Sequence, residues 1–500
     1  MPTLMMLRDE AVRVERSFAE ELSQIEPAYR ASARNLLHYL GVRQHDIRNL
    51  QRDLASLGLS SLGVLEGNAM ASLNAVLDVL GQLTGRDLGP TPDAPVDFRT
   101  GPLLLRDHTR NLLGPEPNNR QVRIMVTMPS EAATQPELVR DLLKAGMDVM
   151  RINCAHDSPE AWRAMVNHLR RAEREVGRSC RVQADLGGPK LRTGPLSAAG
   201  RLLKIRPRRD YLGRVLAPAL VWLTPADAPE NPPERVRSVV PISPALLEIA
   251  ESGDELCFSD GRERERRLSI VSRQGRSCLV ETEQVIYAMD QSPVDLIRSD
   301  AVITNGFIGP LPEITPPILL FPNDMLILTR EATPGEDAVR DEAGHVVSPA
   351  HTHCTLEAAF QSVRPGEHVW LDDGKIGGMV KANDGECISI QITHTGANGG
   401  RLRAEKGINF PDTHFEMSAL TDKDIADLAQ VVGYVDMVAL SFLRGPDDVL
   451  LLEDHLHRLG AGHLGIVLKI ENRQAFENLP RILLASLRSP PVGVMVARGD

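Results

Sequence analysis

The feature that most constrains the fold is an alternation of short apolar runs with amphipathic helical segments. Residues 122–128, 148–153 and 181–186 are apolar runs of strand length. The segments 136–145 and 159–176 between them have helical periodicity, and each is followed by a glycine. Strands that alternate with helices at this spacing pair in parallel, because each helix carries the chain back to the starting edge of the sheet.

The same alternation returns near residue 420 and continues to the last residues. It predicts three helices and three strands, with helices at 421–432, 446–459 and 474–487 and strands at 435–442, 465–471 and 492–497. We therefore predict the α/β class with a (β/α)8 barrel, of which about six strands are present where a closed barrel needs eight.

Four regions follow from these patterns. The segment between the two barrel parts is rich in Pro and Gly with short β-like runs, and residues 247–261 resemble residues 356–374, which suggests a duplicated β module. The predicted regions are 1–118, an N-terminal helical extension and linker; 119–196, the first part of the barrel; 197–402, an inserted β-rich lid domain; and 403–500, the truncated second part of the barrel.

Charge and composition exclude several classes of function. The formal net charge is -11, whereas nucleic-acid binding needs clustered cations, so we expect no nucleic-acid partner. The six cysteines are scattered without a Cys-x-x-Cys pair, which is typical of reduced thiols. No apolar run is long enough for a membrane span and no signal peptide is evident, so we expect a cytoplasmic protein without a membrane partner.

Charged residues gather where successive predicted strands end. Glu471 and Asp500 are carboxylates of the kind that Mg²⁺ or Mn²⁺ prefers. Arg151, Arg192 and Lys469 are cations that can hold phosphoryl oxygens. Because reactive groups in such barrels lie at the carboxyl ends of the strands, this combination favours phosphoryl transfer.

Seven motifs in this order resemble the pyruvate kinase family. They cover about 120–196 and 366–500 of the chain. The motifs are Arg151-Ile-Asn-Cys-Ala-His156, Asp185-Leu-Gly-Gly-Pro-Lys-Leu-Arg-Thr-Gly194, Trp370-Leu-Asp-Asp-Gly-Lys-Ile376, Lys406-Gly-Ile-Asn-Phe-Pro411, Val438-Ala-Leu-Ser-Phe-Leu-Arg444, Lys469-Ile-Glu-Asn472 and Met495-Val-Ala-Arg-Gly-Asp500.

The resemblance implies transfer of the phosphoryl group of phosphoenolpyruvate to ADP, giving pyruvate and ATP. It assigns Lys469 and Arg151 to catalysis and phosphate binding, Glu471 and Asp500 to the divalent metal, and Gly499 with Asp500 to the substrate carboxylate. It also assigns a set of residues to the nucleotide: Arg192, Asn153, His156, Lys406, Ser441 and Phe442. A homo-oligomer is expected from the same resemblance.

Three residues depart from the potassium-dependent members of the family. Ala155 stands at their Ser position, Leu186 at their Thr position and Lys190 at their Glu position, while Asn153 and Asp185 remain. Members with this Leu and Lys pairing do not need potassium. An ammonium beside Asp185 would supply the positive charge that the ion supplies elsewhere, so potassium should not be required.

Alternatives remain at this stage. A pyruvate-forming, metal-dependent aldolase on the same barrel would also use Glu and Asp on a divalent ion, but it would need neither Lys469 nor a lid domain. An inactive homologue could act as a phosphoenolpyruvate sensor or scaffold. The residues stop at Asp500, directly after the sixth predicted strand, so we expect the proton donor and the effector domain of the family in a longer protein.

Pyruvate formation should not depend on potassium. The rate of pyruvate formation should be the same with and without KCl when the ionic strength is held constant with tetramethylammonium chloride. The reason is the permanent charge expected from Lys190. A many-fold stimulation by K⁺ in steady-state assays would contradict it.

Overall fold

The computed structural model describes residues 1–415, 417–489 and 491–497. The chain forms two compact units. The first comprises Met1–Arg192, Cys354–Gly396 and Lys406–Asp500, and the second comprises Thr193–His353 and Ala397–Glu405.

The N-terminal region is a small helical bundle in the first unit. Its helices are α1 (Pro2–Ser17), α2 (Ala19–Ser23), α3 (Arg30–Arg43), α4 (Arg48–Ser56), α5 (Ala69–Thr84) and α6 (Thr100–Leu113). Leu4, Leu7, Leu73 and Leu77 are fully buried and join α1 to α5. Helix α6 lies between two Pro/Gly-rich stretches, 89–95 and 114–119, in the predicted helical extension and linker, and the sequence did not predict it.

The first part of the barrel follows the sequence prediction closely. Its elements are β1 (Met125–Thr127), α7 (Pro136–Ala145), β2 (Val149–Asn153), α8 (Pro159–Val176) and β3 (Arg181–Asp185). Both helices have proline at the first position, where no intrahelical N–H is needed, and both end at a glycine with positive φ. These two signals explain why the helix bounds could be read from the sequence.

The second unit is almost entirely β. It contains β4 (Leu202–Ile205), β5 (Arg208–Arg209), β6 (Val215–Ala217), β7 (Ala219–Pro225), β8 (Ser238–Ile242), α9 (Pro244–Ile249), β9 (Glu255–Ser259), β10 (Glu265–Gln274), β11 (Ser277–Thr282), β12 (Ile286–Met289), β13 (Pro293–Arg298), β14 (Ala301–Phe307), β15 (Ile318–Leu320), β16 (Met325–Thr329), β17 (Val339–Arg340), β18 (Val346–Ser348) and β19 (Ala350–His353). A seven-stranded sheet in the order β14-β13-β9-β10-β11-β7-β8 carries its core.

One helix and five strands follow in the chain. These elements are α10 (Ala358–Ser362), β20 (His368–Leu371), β21 (Ile376–Asn383), β22 (Cys387–His394), β23 (Gly400–Leu402) and β24 (Ile408–Asn409). Strands β22, β21, β20 and β24 are neighbours in that order in the first unit. Strand β23 belongs to the second unit, where it pairs with β15.

The last segment returns to helix and strand alternation. Its elements are α11 (Asp422–Val431), β25 (Met437–Leu440), α12 (Pro446–Arg458), β26 (Gly465–Ile470), α13 (Arg473–Glu477), α14 (Leu479–Ser486) and β27 (Val492–Val496). A capping box between Thr421 and Asp424 fixes the start of α11. The single helix predicted at 474–487 is divided into α13 and α14.

Six parallel strands in the order β1-β2-β3-β25-β26-β27 form the barrel sheet of the first unit. Their outward side chains pack under α7, α8, α11, α12 and α14 in one large core. The predicted fold class is therefore confirmed: a curled parallel α/β barrel sheet, β-rich regions inserted between its halves, and N-terminal helices. The exact domain bounds stay a prediction.

Helix α6 closes the amino-terminal end of this sheet. Leu112 is 7% exposed and packs against Val149, Met437 and Val467 on the inner face. A Cβ atom on Gly465 would lie 2.5 Å from Leu112 Cδ1, and one on Gly493 would lie 2.4 Å from Leu112 Cδ2. Both glycines thus make room for the leucine, since real Cβ atoms do not approach so closely.

The segment from α9 to β10 and the segment from α10 to β21 share a pattern of main-chain hydrogen bonds. In the first, Gly253 N–H donates to the Ile270 carbonyl and Ile270 N–H donates to the Asp254 carbonyl, both at 2.9 Å. In the second, Gly366 N–H donates to the Val380 carbonyl and Val380 N–H donates to the Glu367 carbonyl, again at 2.9 Å. A bulge follows Ile270 in β10 and Val380 in β21. These equivalences support the proposed duplication.

Leu112→Ala tests the packing of α6 at the amino ends of the barrel strands. We expect the free energy of unfolding to fall by about 2–4 kcal/mol, because the change leaves a cavity between two glycines. Denaturant titration followed by circular dichroism measures it. Leu105→Ala in the same helix is the matched control, since Leu105 is 69% exposed and should change little. Equal losses in the two variants would contradict the role of Leu112.

Glu453 in α12 provides a test of buried charge. It is 8% exposed, and burial raises its pKa to about 7, with Arg488 acting in the opposite direction. A carboxyl with a raised pKa in the folded state stabilises the fold below its ordinary value of 4.5, and this contribution is lost as the pH rises through 7.

Glu453→Gln should therefore be more stable than the parent above pH 7, by about 3 kcal/mol, and the difference should disappear below pH 4.5. Unfolding midpoints measured from pH 4 to 9 check this expectation. Glu342→Gln, at an exposed position, is the control. A difference between Glu453→Gln and the parent that does not vary with pH would contradict the assignment.

Candidate active site

The register of the barrel sheet gathers polar side chains at its carboxyl end. Thr127 pairs with Arg151, and Asn153 pairs with Asp185. Alternate residues of a strand share a face. Arg151 and Asn153 therefore lie on the same inner face as Val149, two and four residues further along the strand. Inner positions are apolar toward the amino ends of the strands and charged toward the carboxyl ends.

Arg151 and Asp185 form a buried ion pair between neighbouring strands. Arg151 Nε donates to Asp185 Oδ2 at 2.8 Å, and Nη2 lies 2.6 Å from the same oxygen. Arg151 Nη1 also donates to Thr127 Oγ1 at 3.1 Å. Asp185 is 1% exposed whereas the Arg151 side chain is 25% exposed. The guanidinium is therefore fixed by Asp185 but still open to an incoming anion.

Lys469 links the next two strands to this pair. Its Nζ lies 2.7 Å from Glu471 Oε1 and 3.7 Å from Asp185 Oδ2, and it donates to Ser441 Oγ at 2.9 Å. The Ser441 hydroxyl in turn donates to the Leu186 carbonyl at 2.6 Å. The ammonium is thus held between two buried carboxylates with its direction set by Ser441.

We call Arg151, Asp185, Ser441, Lys469 and Glu471 the strand-end network. It contains two cations and two carboxylates, so the charges balance, as burial of charge requires. An anionic ligand could replace Asp185 as a partner of Arg151, and a cation could share Glu471 with Lys469. The network therefore suits an anionic ligand that binds together with a cation.

Phe442 occupies a strained turn beside the network. Its φ is 53°, in the left-handed region that costs a non-glycine residue about 1 kcal/mol. In this conformation its N–H donates to Glu471 Oε2 at 2.7 Å. A Cβ atom on Gly188 would lie 2.9 Å from Phe442 Cδ2, so the glycine of the Asp185–Gly194 motif allows the close packing of this turn.

Lys190 and Arg192 lie after β3, and Lys406 lies just before β24. Lys190 Nζ is 5.8 Å from the centre of the Phe442 ring. The backbone of Arg192 forms a bridge with Gly407, and Lys406 Nζ is 3.3 Å from Asp372 Oδ1. Asp185 contacts Arg151, Lys469 and Gln183, and the pairing of Lys190 with Asp185 stays a prediction.

Asn153 and His156 border a cavity of 210 Å³ between the ends of β1 and β2. Its wall is formed by Thr127, Met128, Pro129, Ser130, Ile152, Asn153, His156, Asp157 and Met165. Asn153 Oδ1 accepts from Ala155 N–H at 3.1 Å, and the His156 carbonyl accepts from the Trp162 indole at 2.8 Å. The His156 side chain itself is exposed.

Gly499 and Asp500 lie outside the described residues. In the described ranges 1–415, 417–489 and 491–497, no group of three His, Cys, Asp or Glu side chains could hold a metal ion by itself. Glu471 nevertheless fits one ligand position for a hard divalent cation. Its carboxylate is buried, lies within the network and offers oxygen donors.

Two supporting residues were missed from the sequence. Gln183 is fully buried, and its Nε2 donates to Asp185 Oδ1 at 2.6 Å. It precedes Asp185 by two positions on one strand, so the two-residue period could have identified it. Asp424 accepts from Gly188 N–H at 3.1 Å; nothing in the sequence indicated that this helix-capping residue also holds the loop after β3.

The fold and the site together define a class: a parallel α/β barrel protein with a buried, charge-balanced site at the carboxyl ends of its strands. The sequence matches the family described as pyruvate kinase, barrel domain, over residues 119–209 and 338–500, which is just over half of the chain. The chain belongs to the pyruvate kinase family, and the resemblance found in its motifs is confirmed.

Bacterial pyruvate kinases provide the individual matches. The chain is 34% identical to that of Clostridium acetobutylicum over 154 residues, which is 30% of each chain. It is 37% identical to that of Mycobacterium tuberculosis over 147 residues, 29% of each chain. For Geobacillus stearothermophilus the identity is 35% over 154 residues, 31% of this chain and 25% of the relative. The chain thus spans less than a third of the length of these relatives.

Among the described residues, none of the helices combines the length and apolar character that crossing a membrane would require.

Proposed function

We propose that the intact protein is a pyruvate kinase, which transfers the phosphoryl group of phosphoenolpyruvate to ADP and gives pyruvate and ATP. In this reaction a β-phosphate oxygen of ADP attacks phosphorus, the bond from phosphorus to the enol oxygen breaks, and the enolate is protonated on carbon. The observation that carries the proposal is the strand-end network, in which Lys469 lies 2.7 Å from Glu471 and Arg151 remains open to an anion.

The two cations would divide the work on the phosphoryl group. Arg151 presents a guanidinium that can bind two phosphoryl oxygens at once, and Asp185 fixes its orientation. Lys469 is directed by Ser441 toward the middle of the network, where it would stabilise negative charge on the phosphoryl oxygens in the transition state. Both groups are already in place, so little reorganisation is required.

Glu471 would hold the divalent cation, Mg²⁺ or Mn²⁺, together with Asp500. The ion, when bound, supplies charge neutralisation at the enol oxygen and the carboxylate of the substrate. The Phe442 N–H and Lys469 fix the two Glu471 oxygens, and so they orient the carboxylate. Main-chain N–H groups of Gly499 and Asp500 would approach the substrate carboxylate.

The nucleotide would occupy the carboxyl end of the barrel beside the network. The cavity next to Asn153 and His156, which has Met128 and Met165 in its wall, would take one ring of the base, with the rest of the nucleotide outside it. Arg192 and Lys406 would contribute positive charge for the phosphates, and Ser441 and Phe442 would form the adjoining wall. The homo-oligomer and the cytoplasmic location stay predictions of the same proposal.

Independence of potassium belongs to this proposal as well. Asp185 carries Arg151 and Lys469 as neighbours, and Lys190 adds a further cation over the Phe442 ring. Three permanent positive charges around the carboxylate and its loop favour a site that needs no monovalent ion.

Lys469→Met tests the proposal directly. We expect the rate of pyruvate and ATP formation from phosphoenolpyruvate, ADP and Mg²⁺ to fall by about 10²–10³-fold. The reason is that the negative charge on the transferring phosphoryl group loses the ammonium that stabilises it in the transition state. Coupling pyruvate to lactate dehydrogenase and ATP to luciferase measures both products. Lys144→Met on the outer helix α7, where Lys144 is exposed, should retain the parental rate.

The two products separate the alternatives. An aldolase would release pyruvate from a hydroxy-keto acid without forming ATP, and a sensor would bind phosphoenolpyruvate without forming either product. If the intact parent protein binds phosphoenolpyruvate but produces no ATP, the kinase proposal is wrong. Full activity in Lys469→Met would remove the role assigned to Lys469.

A further inference from the structure

A second cavity, of 190 Å³, has Phe442, the neighbour of Ser441 in the strand-end network, in its wall. Aromatic side chains form much of its wall: Trp370, Phe410, Phe415 and Phe442. Phe410 and Phe415 contact each other edge to face, with ring centres 6.4 Å apart. The cavity is smaller than the pockets of about 300–1,000 Å³ that hold drug-sized ligands, so it has room for one ring rather than a nucleotide.

Arg444 brings a buried positive charge to this aromatic wall. It is 8% exposed and lines the cavity. In the part of the chain that the structure describes, its guanidinium makes one side-chain hydrogen bond, from Nη1 to the Met417 carbonyl at 2.8 Å. A guanidinium has five N–H donors, so most of this capacity remains for another partner.

The carboxylate of Asp448, which follows Arg444 by four residues, bonds to main-chain groups. Asp448 Oδ2 accepts from the main-chain N–H groups of Arg444 and Gly445 at 2.7 and 3.1 Å, and Oδ1 accepts from Ala419 N–H at 3.1 Å. Asp448 therefore stabilises the turn and the start of α12 and does not neutralise the guanidinium by hydrogen bonding. Consistent with this, burial lowers the pKa of Arg444, against the opposing effect of Asp448.

We propose that this cavity binds a small aromatic carboxylate, with the ring between Trp370, Phe410 and Phe442 and the carboxylate on Arg444. A buried cation with free donors favours an anion, and a planar carboxylate can pair with two guanidinium N–H groups at once. The rim contains the cations Lys190 and Arg473 and the carboxylate Asp373. Arg473 is paired with Glu477 at 2.7 Å and Asp373 offsets the charge of Lys190, which leaves the charge of Arg444, so a monoanion suits the cavity better than a phosphate dianion.

A ligand in the cavity would act on the strand-end network through Phe442. Phe442 forms one wall, and its N–H holds Glu471 at 2.7 Å. A ring packed against Phe442 would stabilise the strained turn that orients Glu471. That consequence for activity rests on the proposed function, whereas binding of the carboxylate does not.

Ligand-observed NMR titration with benzoate and benzamide tests the site. The two probes have the same size and differ in charge. We expect benzoate to bind with a dissociation constant of about 1 mM, as is reasonable for nine heavy atoms, and benzamide to bind about tenfold more weakly, since a charge-assisted hydrogen bond is lost. Arg444→Gln should abolish this preference.

Two further variants keep the test decisive if Arg444→Gln fails to fold. Gln474→Trp fills the cavity from its wall without replacing Arg444 and should abolish benzoate binding. Arg458→Gln removes the same charge from an exposed pair with Asp454 on α12 and should leave binding unchanged. Equal affinity for benzoate and benzamide, or benzoate binding that survives Gln474→Trp, would overturn the proposal.

Discussion

The buried ammonium of Lys469 is the interaction on which the site depends. It lies between the carboxylates of Glu471 and Asp185, at 2.7 and 3.7 Å, and each of the three charges would be costly to bury alone. Glu471 then holds the Phe442 turn and Asp185 holds Arg151. One central cation thereby fixes the positions of groups on four strands of the barrel sheet.

The parallel register makes this arrangement possible. Equivalent inner positions of neighbouring strands lie at the same height, so residues far apart in the sequence meet without long loops. Apolar inner residues below them, sealed by Leu112 of α6, keep water away from the base of the network. Low solvent access strengthens the electrostatic interactions that the proposed phosphoryl transfer needs.

Most of the barrel could be predicted from local signals in the sequence. Helices α7 and α8 begin at a proline and end before a glycine, and their bounds agree with the prediction. Helix α6 was missed because it lies between two Pro/Gly-rich stretches, and its burial against Gly465 and Gly493 is a tertiary effect. Similarly, motifs identified Arg151, Lys469 and Glu471, but only the three-dimensional register shows that Arg151 and Lys469 are the neighbours of Asp185.

Diffraction from crystals of the intact protein grown with Mn²⁺ tests the central claim most directly. At the manganese absorption edge, we expect an anomalous peak about 2.2 Å from a Glu471 carboxylate oxygen, with Lys469 Nζ and Arg151 facing the same space at the carboxyl ends of the strands. An ordered Mn²⁺ bound elsewhere, with Glu471 not among its ligands, would contradict the account.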